Sequence, residues 1–355
     1  MKIALLGSVT SVIPPLGQAA IERLVYQQAL GLARKEHQIL LFAPSGSTVT
    51  HPNIQLVEVG RKAFLSGVGK EGGVPEEELY GASYKLRLEL TNLANVMGKL
   101  RELSGSYDVI LNNLRGEAVL LPVANALGKP LYHVMHLPIF PELAELFDTY
   151  QTPLISISNT QRKAFPKLNY AGTVYNAVDT DEFAFSATHD NYLLYVGSIG
   201  RNKNPKDAVM AAKKTGEILI IGGRIKDEAY YKEEIAPHID GKQIRWVGEQ
   251  HPKDMIALYQ KAKAFLFPVL WEEPFGLVMI EAMSCGTPVI AYPNGAVPEV
   301  IADGKTGYLV HSVDDMAQKI KEIDKIDRRV CRAHVESTFS IDRMVEAYES
   351  ILKRY

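Results

Sequence analysis

The sequence predicts an α/β chain built from two doubly wound, Rossmann-like domains, and three observations carry that expectation. The chain has 355 residues, more than one ordinary core holds. Two series of short β-rich runs alternate with helical patterns, one starting at Lys2 and the other at Tyr192. A polar stretch from Asn176 to Asn191 separates them and is the expected linker.

In the first series, strands are expected at 2–6, 38–42, 54–59, 109–112, 130–135 and 154–157. A helix over 21–33 follows from the spacing of Ile21, Leu24, Val25 and Leu32, and another over 117–127 from its apolar face. The segment from Gly60 to Gly81, rich in glycine and charge, is expected to be a mobile loop. Between Lys85 and Leu103, residues Leu86, Leu90, Leu93, Met97, Leu100 and Leu103 fall on one helical face flanked by Arg87, Lys99 and Arg101. Such a helix either faces a core or makes weak peripheral contact with an anionic membrane surface. The second series places strands at 192–196, 218–221, 244–247, 264–267 and 288–291, with helices between. The resulting boundaries are an N-terminal domain over 1–175, a C-terminal domain over 176–340 and a last helix over 341–355.

Composition narrows the partners. A net charge of −2 argues against nucleic acid, which selects a large basic excess. Met1-Lys2 leads directly into a strand-like run rather than a signal peptide, and no apolar run is long enough to span a bilayer. The two cysteines, Cys285 and Cys331, have neither metal-ligand nor disulfide-framework spacing. A cytoplasmic location, with no metal and no cofactor, is the resulting expectation.

The stretch from Trp271 to Pro288 concentrates the chemistry. A helix start near Gly276 aims the backbone N–H groups of Phe275, Gly276, Leu277 and Val278 at one point, an arrangement suited to phosphate. Glu273 lies in the entering loop and Glu281 inside the helix, so the two cannot both serve as caps. A carboxylate accepts two hydroxyl hydrogen bonds at once, which suits the vicinal diols of a ribose or hexose. The ordinary alternative makes Glu273 a complement to the helix dipole and Glu281 a solvated acid. The apolar neighbours Val278, Met279, Ile280, Ala282 and Met283 favour a cleft-facing Glu281 instead.

This segment resembles the donor-binding motif of retaining glycosyltransferases of family 4, in which two glutamates separated by seven residues bracket a helix start. The similarity continues through 289–292, 295–300 and 303–310 and into the closing region around Asp327 to Arg332 and Phe339-Ser340. The resemblance implies a GT-B fold, with two domains facing across a cleft and the last helix crossing back to the first. It implies a metal-independent enzyme that takes a sugar from a nucleotide-diphosphate donor and passes it, with retention, to a hydroxyl on a glycan, glycolipid or small molecule. The nucleotide sugar is then a substrate rather than a cofactor, and no covalent nucleophile is evident.

On that resemblance, Glu281 holds ribose hydroxyls, Glu273 the donor sugar, and Lys203 with the helix start at Gly276 the diphosphate. The family's arginine after the strand-end glycine is replaced by Ser198, and Arg201 is the expected substitute. His136, at a strand end, corresponds to a histidine near the donor sugar, with His133 as the competing candidate. Ala19-Ala20 stands where the family has a glycine pair, leaving Gly17 for close approach, and Ala177 also replaces a glycine. Gly222 and Val247, at strand-end loops, are expected at the base and ribose, while Tyr259 and Trp246 read as core aromatics. Two competing functions are a catalytically weakened nucleotide-sugar-binding protein of the same fold and a nucleotide-sugar epimerase. A dinucleotide oxidoreductase is disfavoured, because Gly7-Ser8-Val9-Thr10 lacks the glycine-rich turn.

Overall fold

The computed structural model describes residues 1–15, 17, 19–60 and 76–354. The chain divides into two compact units. The first comprises Met1–Ile157, Arg162–Val174 and the residues from Met344 on; the second comprises Ser158–Gln161 and Tyr175–Arg343.

In the first unit, β1 (Lys2–Leu6), α1 (Ala20–Arg34), β2 (Gln38–Ala43) and β3 (Ile54–Glu58) precede α2 (Glu76–Glu102). There follow β4 (Val109–Asn112), α3 (Glu117–Leu127), β5 (Leu131–Met135), α4 (Pro141–Thr149), β6 (Leu154–Ser156) and β7 (Tyr170–Thr173). The seven strands run parallel in the order β3-β2-β1-β4-β5-β6-β7. Strands β4 and β5 are buried along their whole length, as expected for a parallel sheet covered on both faces. The edge strand β7 was not anticipated: Tyr170-Ala-Gly-Thr is half-buried throughout and has no continuous apolar run.

The greater part of the segment expected to be a mobile loop, residues 61–75, lies outside the described residues, and its last residues already belong to α2. That helix breaks at Gly81, where φ is 69°. Its apolar stripe divides: Leu93 and Leu100 enter the core, whereas Leu86 and Leu90 remain 57% and 45% exposed.

The second unit runs β8 (Tyr192–Val196), α5 (Pro205–Thr215), β9 (Ile218–Gly222), α6 (Glu228–Tyr230), β10 (Ile244–Gly248), α7 (Pro252–Lys261) and β11 (Ala264–Phe267). It continues with α8 (Leu277–Ser284), β12 (Val289–Ala291), α9 (Val297–Val300), β13 (Gly307–Leu309), α10 (Val313–Glu322) and α11 (Arg328–Thr338). Its six parallel strands are ordered β10-β9-β8-β11-β12-β13. The last helix, α12 (Ile341–Leu352), contributes its later residues to the first unit. There Tyr348 and Ile351 are buried, and Glu349 Oε1 lies 3.0 Å from His37 Nε2.

Each sheet reverses its strand order beside its first strand, between β1 and β4 in one unit and between β8 and β11 in the other. Such reversals open a crevice at the carboxyl ends of the strands, where ligands of doubly wound sheets bind. No helix among the described residues is long and apolar enough to cross a membrane.

Candidate active site

The loops leaving β8 and β11 meet at the reversal of the second sheet. Lys203 follows β8, Glu273 follows β11, and Lys203 Nζ donates to Glu273 Oε2 at 2.5 Å. Trp271 Nε1 donates to the same oxygen at 2.8 Å. The ammonium also sits 4.7 Å from the Trp271 ring centroid and 5.7 Å from that of Phe267, so aromatic faces add to its stabilisation. Glu273 is buried and Lys203 is half-buried, which strengthens their attraction relative to a surface pair.

The Glu273 loop is held from behind by the turn after β12. Ala296 N donates to Glu273 O at 2.8 Å, and Asn294 Nδ2 donates to Val269 O at 2.7 Å. Gly295 has φ +65°, and a Cβ there would lie 2.2 Å from Glu273 N and 2.3 Å from Glu273 O. Backbone meets backbone at this point, so only glycine fits.

Three residues beyond Glu273, Gly276 takes a left-handed conformation (φ 89°) and starts α8 without a side-chain cap. Met279 N is used by Gly276 O at 3.0 Å, while the first turn carries no acidic residue to compete for an anion. Leu277 and Val278 are partly exposed. The Phe275 side chain turns inward, packing edge-to-face on Phe339 at 5.8 Å, so only its backbone is available to a ligand. Glu281 is the sole charged residue of α8, and its Oε2 accepts from Tyr259 Oη at 3.0 Å. Burial and the adjacent carboxylate push the Tyr259 phenol well above its ordinary value, so it stays a donor.

The remaining expected donor residues have other engagements. Ser198 is half-buried, and its carbonyl accepts from Tyr195 Oη at 3.3 Å. Arg201, expected to replace the missing arginine, lies 3.7 Å from Asp227 and 3.5 Å from Glu233, with its guanidinium over the Tyr230 ring. Gly222 ends β9 in a buried position against Met255, and a Cβ on the adjacent Gly223 would meet Gly197 O at 2.1 Å. That glycine pair serves the packing of two strand ends. Val247 is 37% exposed and its carbonyl accepts from Gln250 Nε2. Trp246 Nε1 donates to Gly223 O at 3.0 Å, tying β10 to the same loop.

In the first unit, Gly17 is half-buried and its carbonyl accepts from Ala19 N at 3.0 Å; its neighbours Leu16 and Gln18 lie outside the described residues. His136 follows β5, and its Nε2 lies 2.8 Å from Asn113 Oδ1. Asn113 Nδ2 donates to Gln28 Oε1 at 2.9 Å, which fixes the amide and makes His136 Nε2 the protonated nitrogen. Its Nδ1 is therefore an acceptor. Burial, with the neighbouring His133 and Arg115, pushes His136 down to about 3. His133, the competing candidate, is enclosed: it stacks on Phe147 at 5.3 Å and its Nδ1 accepts from Asn112 Nδ2 at 3.1 Å.

Three contributors escaped the sequence reading. Trp271 has a visible signal, an indole two residues before Glu273, but Tyr259 and Gly295 reach the site only through tertiary packing. Among the described residues, no group of three His, Cys, Asp or Glu is placed to hold a metal ion.

Residues 179–337 match the family described as glycosyl transferases group 1. D-inositol 3-phosphate glycosyltransferase of Corynebacterium aurimucosum is 30% identical over 158 residues, covering 40% of this chain and 37% of the relative. The matches span 30% to 51% of the length of the first three curated relatives. Sucrose-phosphate synthase of Thermosynechococcus elongatus superposes with a TM-score of 0.72 at 17% identity, over 100% of this chain and 98% of that one. HepE of Anabaena, in complex with UDP, superposes with a TM-score of 0.71 at 16% identity, over 100% of both chains. The chain therefore has the GT-B fold, and most of its second unit matches the glycosyl transferases group 1 family.

Proposed function

We propose that the protein is a retaining glycosyltransferase that moves a sugar from a nucleotide-diphosphate donor to a hydroxyl acceptor. The observation that carries this reading is the Lys203–Glu273 pair at the reversal of the second sheet, beside the uncapped start of α8. An ammonium has three protons to donate, so Lys203 can serve a diphosphate oxygen while keeping Glu273. The Leu277 and Val278 N–H groups supply further donors, and in this reading no metal is needed to neutralise the leaving group.

Glu281, oriented by Tyr259, takes the ribose hydroxyls, and Glu273 takes hydroxyls of the donor sugar; in the first unit, His136 Nδ1 offers an acceptor for a hydroxyl. Gly222 and Val247 lie at the strand ends assigned to the base. Departure of the diphosphate breaks the bond at the anomeric carbon while the acceptor oxygen attacks from the same face. The acceptor's proton passes to a phosphate oxygen of the leaving group.

Thermal unfolding with UDP, GDP and ADP and their sugars tests the reading. One nucleotide should raise the melting temperature, and Glu281→Ala should remove the response. No response to any nucleotide would sink it. One observation favours a second reading, a nucleotide-sugar-binding chain with weakened turnover: Arg201 is engaged by Asp227 and Glu233 rather than held in reserve. Stabilisation by a nucleotide sugar with no release of nucleoside diphosphate would select it.

A further inference from the structure

The reversal of the first sheet, between β1 and β4, holds a second recess that the donor reading does not use. It is formed by the turn Gly7 to Thr10 after β1, the turn Asn113 to Gly116 after β4, and faces of α1, α2 and α3. Its buried end is polar. Ser8 is 4% exposed; its Oγ donates to Glu22 Oε1 at 3.0 Å and accepts from Thr10 N and Ser11 N at 3.2 and 3.1 Å. Buried Asn113 lies beside it.

The outer walls are aliphatic: Ile21, Leu86, Leu90, Leu93, Leu114 and Val119 line the recess, and no aromatic ring does among the described residues. Leu86, Leu90 and Val119 remain exposed at its mouth, a cluster of aliphatic surface left in water at a concave place. Two features then restrict the occupant. A saccharide carries hydroxyls around its ring, and aliphatic walls satisfy none of them once water is expelled. Among the described residues, an anionic headgroup meets two lining carboxylates, Glu22 and Glu89, against one lining cation, Arg115.

We propose that this recess takes the acceptor, and that the acceptor is a neutral alcohol on an aliphatic or alicyclic skeleton. Its hydroxyl lies at the Ser8–Glu22 end and its skeleton against Leu86, Leu90 and Val119. The assignment of an acceptor rests on the glycosyltransferase reading above; the chemistry of the occupant rests on the recess alone.

Methyl-labelled full-length chain, titrated without any donor, tests it. 1-Octanol should produce saturable shifts at the methyls of Ile21, Leu90, Leu93 and Val119. Leu90→Asp should weaken that binding at least tenfold at an unchanged melting temperature, whereas Leu146→Asp, an exposed leucine on α4, should not. Glucose and inositol phosphate should leave the same methyls unmoved. Saturation by either of those with no response to octanol overturns the proposal. So does broadening of these methyls by vesicles of three parts phosphatidylcholine to one part phosphatidylglycerol without octanol saturation, which makes the patch a membrane contact. Failure of the donor reading appears separately, as no thermal response to any nucleotide while octanol still saturates.

Discussion

Lys203 and Glu273, seventy positions apart in the chain, form an ion pair of 2.5 Å across the strand-order reversal of the second sheet. Both ends are shielded from water, and Glu273 also accepts from Trp271. Removing the cation leaves a buried carboxylate with one neutral donor, while removing the carboxylate leaves the cation on aromatic faces. The two variants should therefore separate. Lys203→Met should weaken binding of the responsive nucleoside diphosphate tenfold to a hundredfold, the equivalent of a charge-assisted hydrogen bond of about 1.5–3 kcal/mol. Glu273→Gln should hold that affinity within a few-fold and lower the transfer rate instead. Calorimetric titration beside a transfer assay reads both, and unchanged affinity in Lys203→Met contradicts the assignment of the diphosphate.

Tyr259 and Glu281 make a more selective test. The phenol pins one carboxylate oxygen from inside the core, where Tyr259 packs on Phe183 and Phe265. Tyr259→Phe keeps that packing and deletes a single hydrogen bond of about 0.5–1.5 kcal/mol. Affinity for the nucleoside diphosphate should fall by roughly twofold to tenfold, while affinity for pyrophosphate, which has no ribose, stays unchanged. An equal loss for both ligands places Glu281 away from the ribose.

What the sequence disclosed depended on how local each signal is. The expected strand at 192–196 and helix start near Gly276 match β8 and α8, because an apolar run and a left-handed glycine act within a few residues. The edge strand β7 and the three-residue β13 carry no such run. Helix α2 shows the limit of periodicity: its stripe is continuous in sequence, yet Leu93 and Leu100 enter the core while Leu86 and Leu90 line an open recess. Residue types at the site were legible, their partners were not. Arg201 reads as a phosphate ligand, and only the fold brings Asp227 and Glu233 beside it, while Tyr259 reads as packing until its hydroxyl meets Glu281.

Gly295 should be intolerant for a reason separable from its backbone angle. Gly295 and Gly304 have similar angles, φ +65° and +72°, but a Cβ at Gly304 meets nothing within 4 Å. Gly304→Ala should therefore cost about 1 kcal/mol, the price of the left-handed region alone. Gly295→Ala adds a collision with the Glu273 backbone and should cost several kcal/mol, at the upper end of local backbone strain or beyond. Denaturant unfolding of the two variants compares them directly. Equal destabilisation means that the turn after β12 does not buttress Glu273.

His133 and His136 give the first unit a defined response to acid. Burial holds each at about 3, against 6.5 in the unfolded chain. Between those values the unfolded state binds protons that the folded state refuses, so folding is fully supported above pH 6.5 and loses stability as the pH falls toward 3. Each histidine contributes a slope of up to about 1.4 kcal/mol per pH unit in that window. Carboxylates titrate mainly below pH 5, with Glu117, which burial raises and which lies 3.9 Å from His133 Nε2, as the exception. His133→Gln should lower the slope between pH 6.5 and 5 by about one proton, because a neutral amide keeps a polar group beside Asn112 without a titration of its own. The same substitution leaves the Asn113 contact of His136 in place, so His136 keeps its contribution to the slope, alongside His238, which burial also pushes down. A slope unchanged by His133→Gln in unfolding titrations at pH 5 to 6.5 means that His133 is charged in the folded chain, contrary to its enclosure against Phe147.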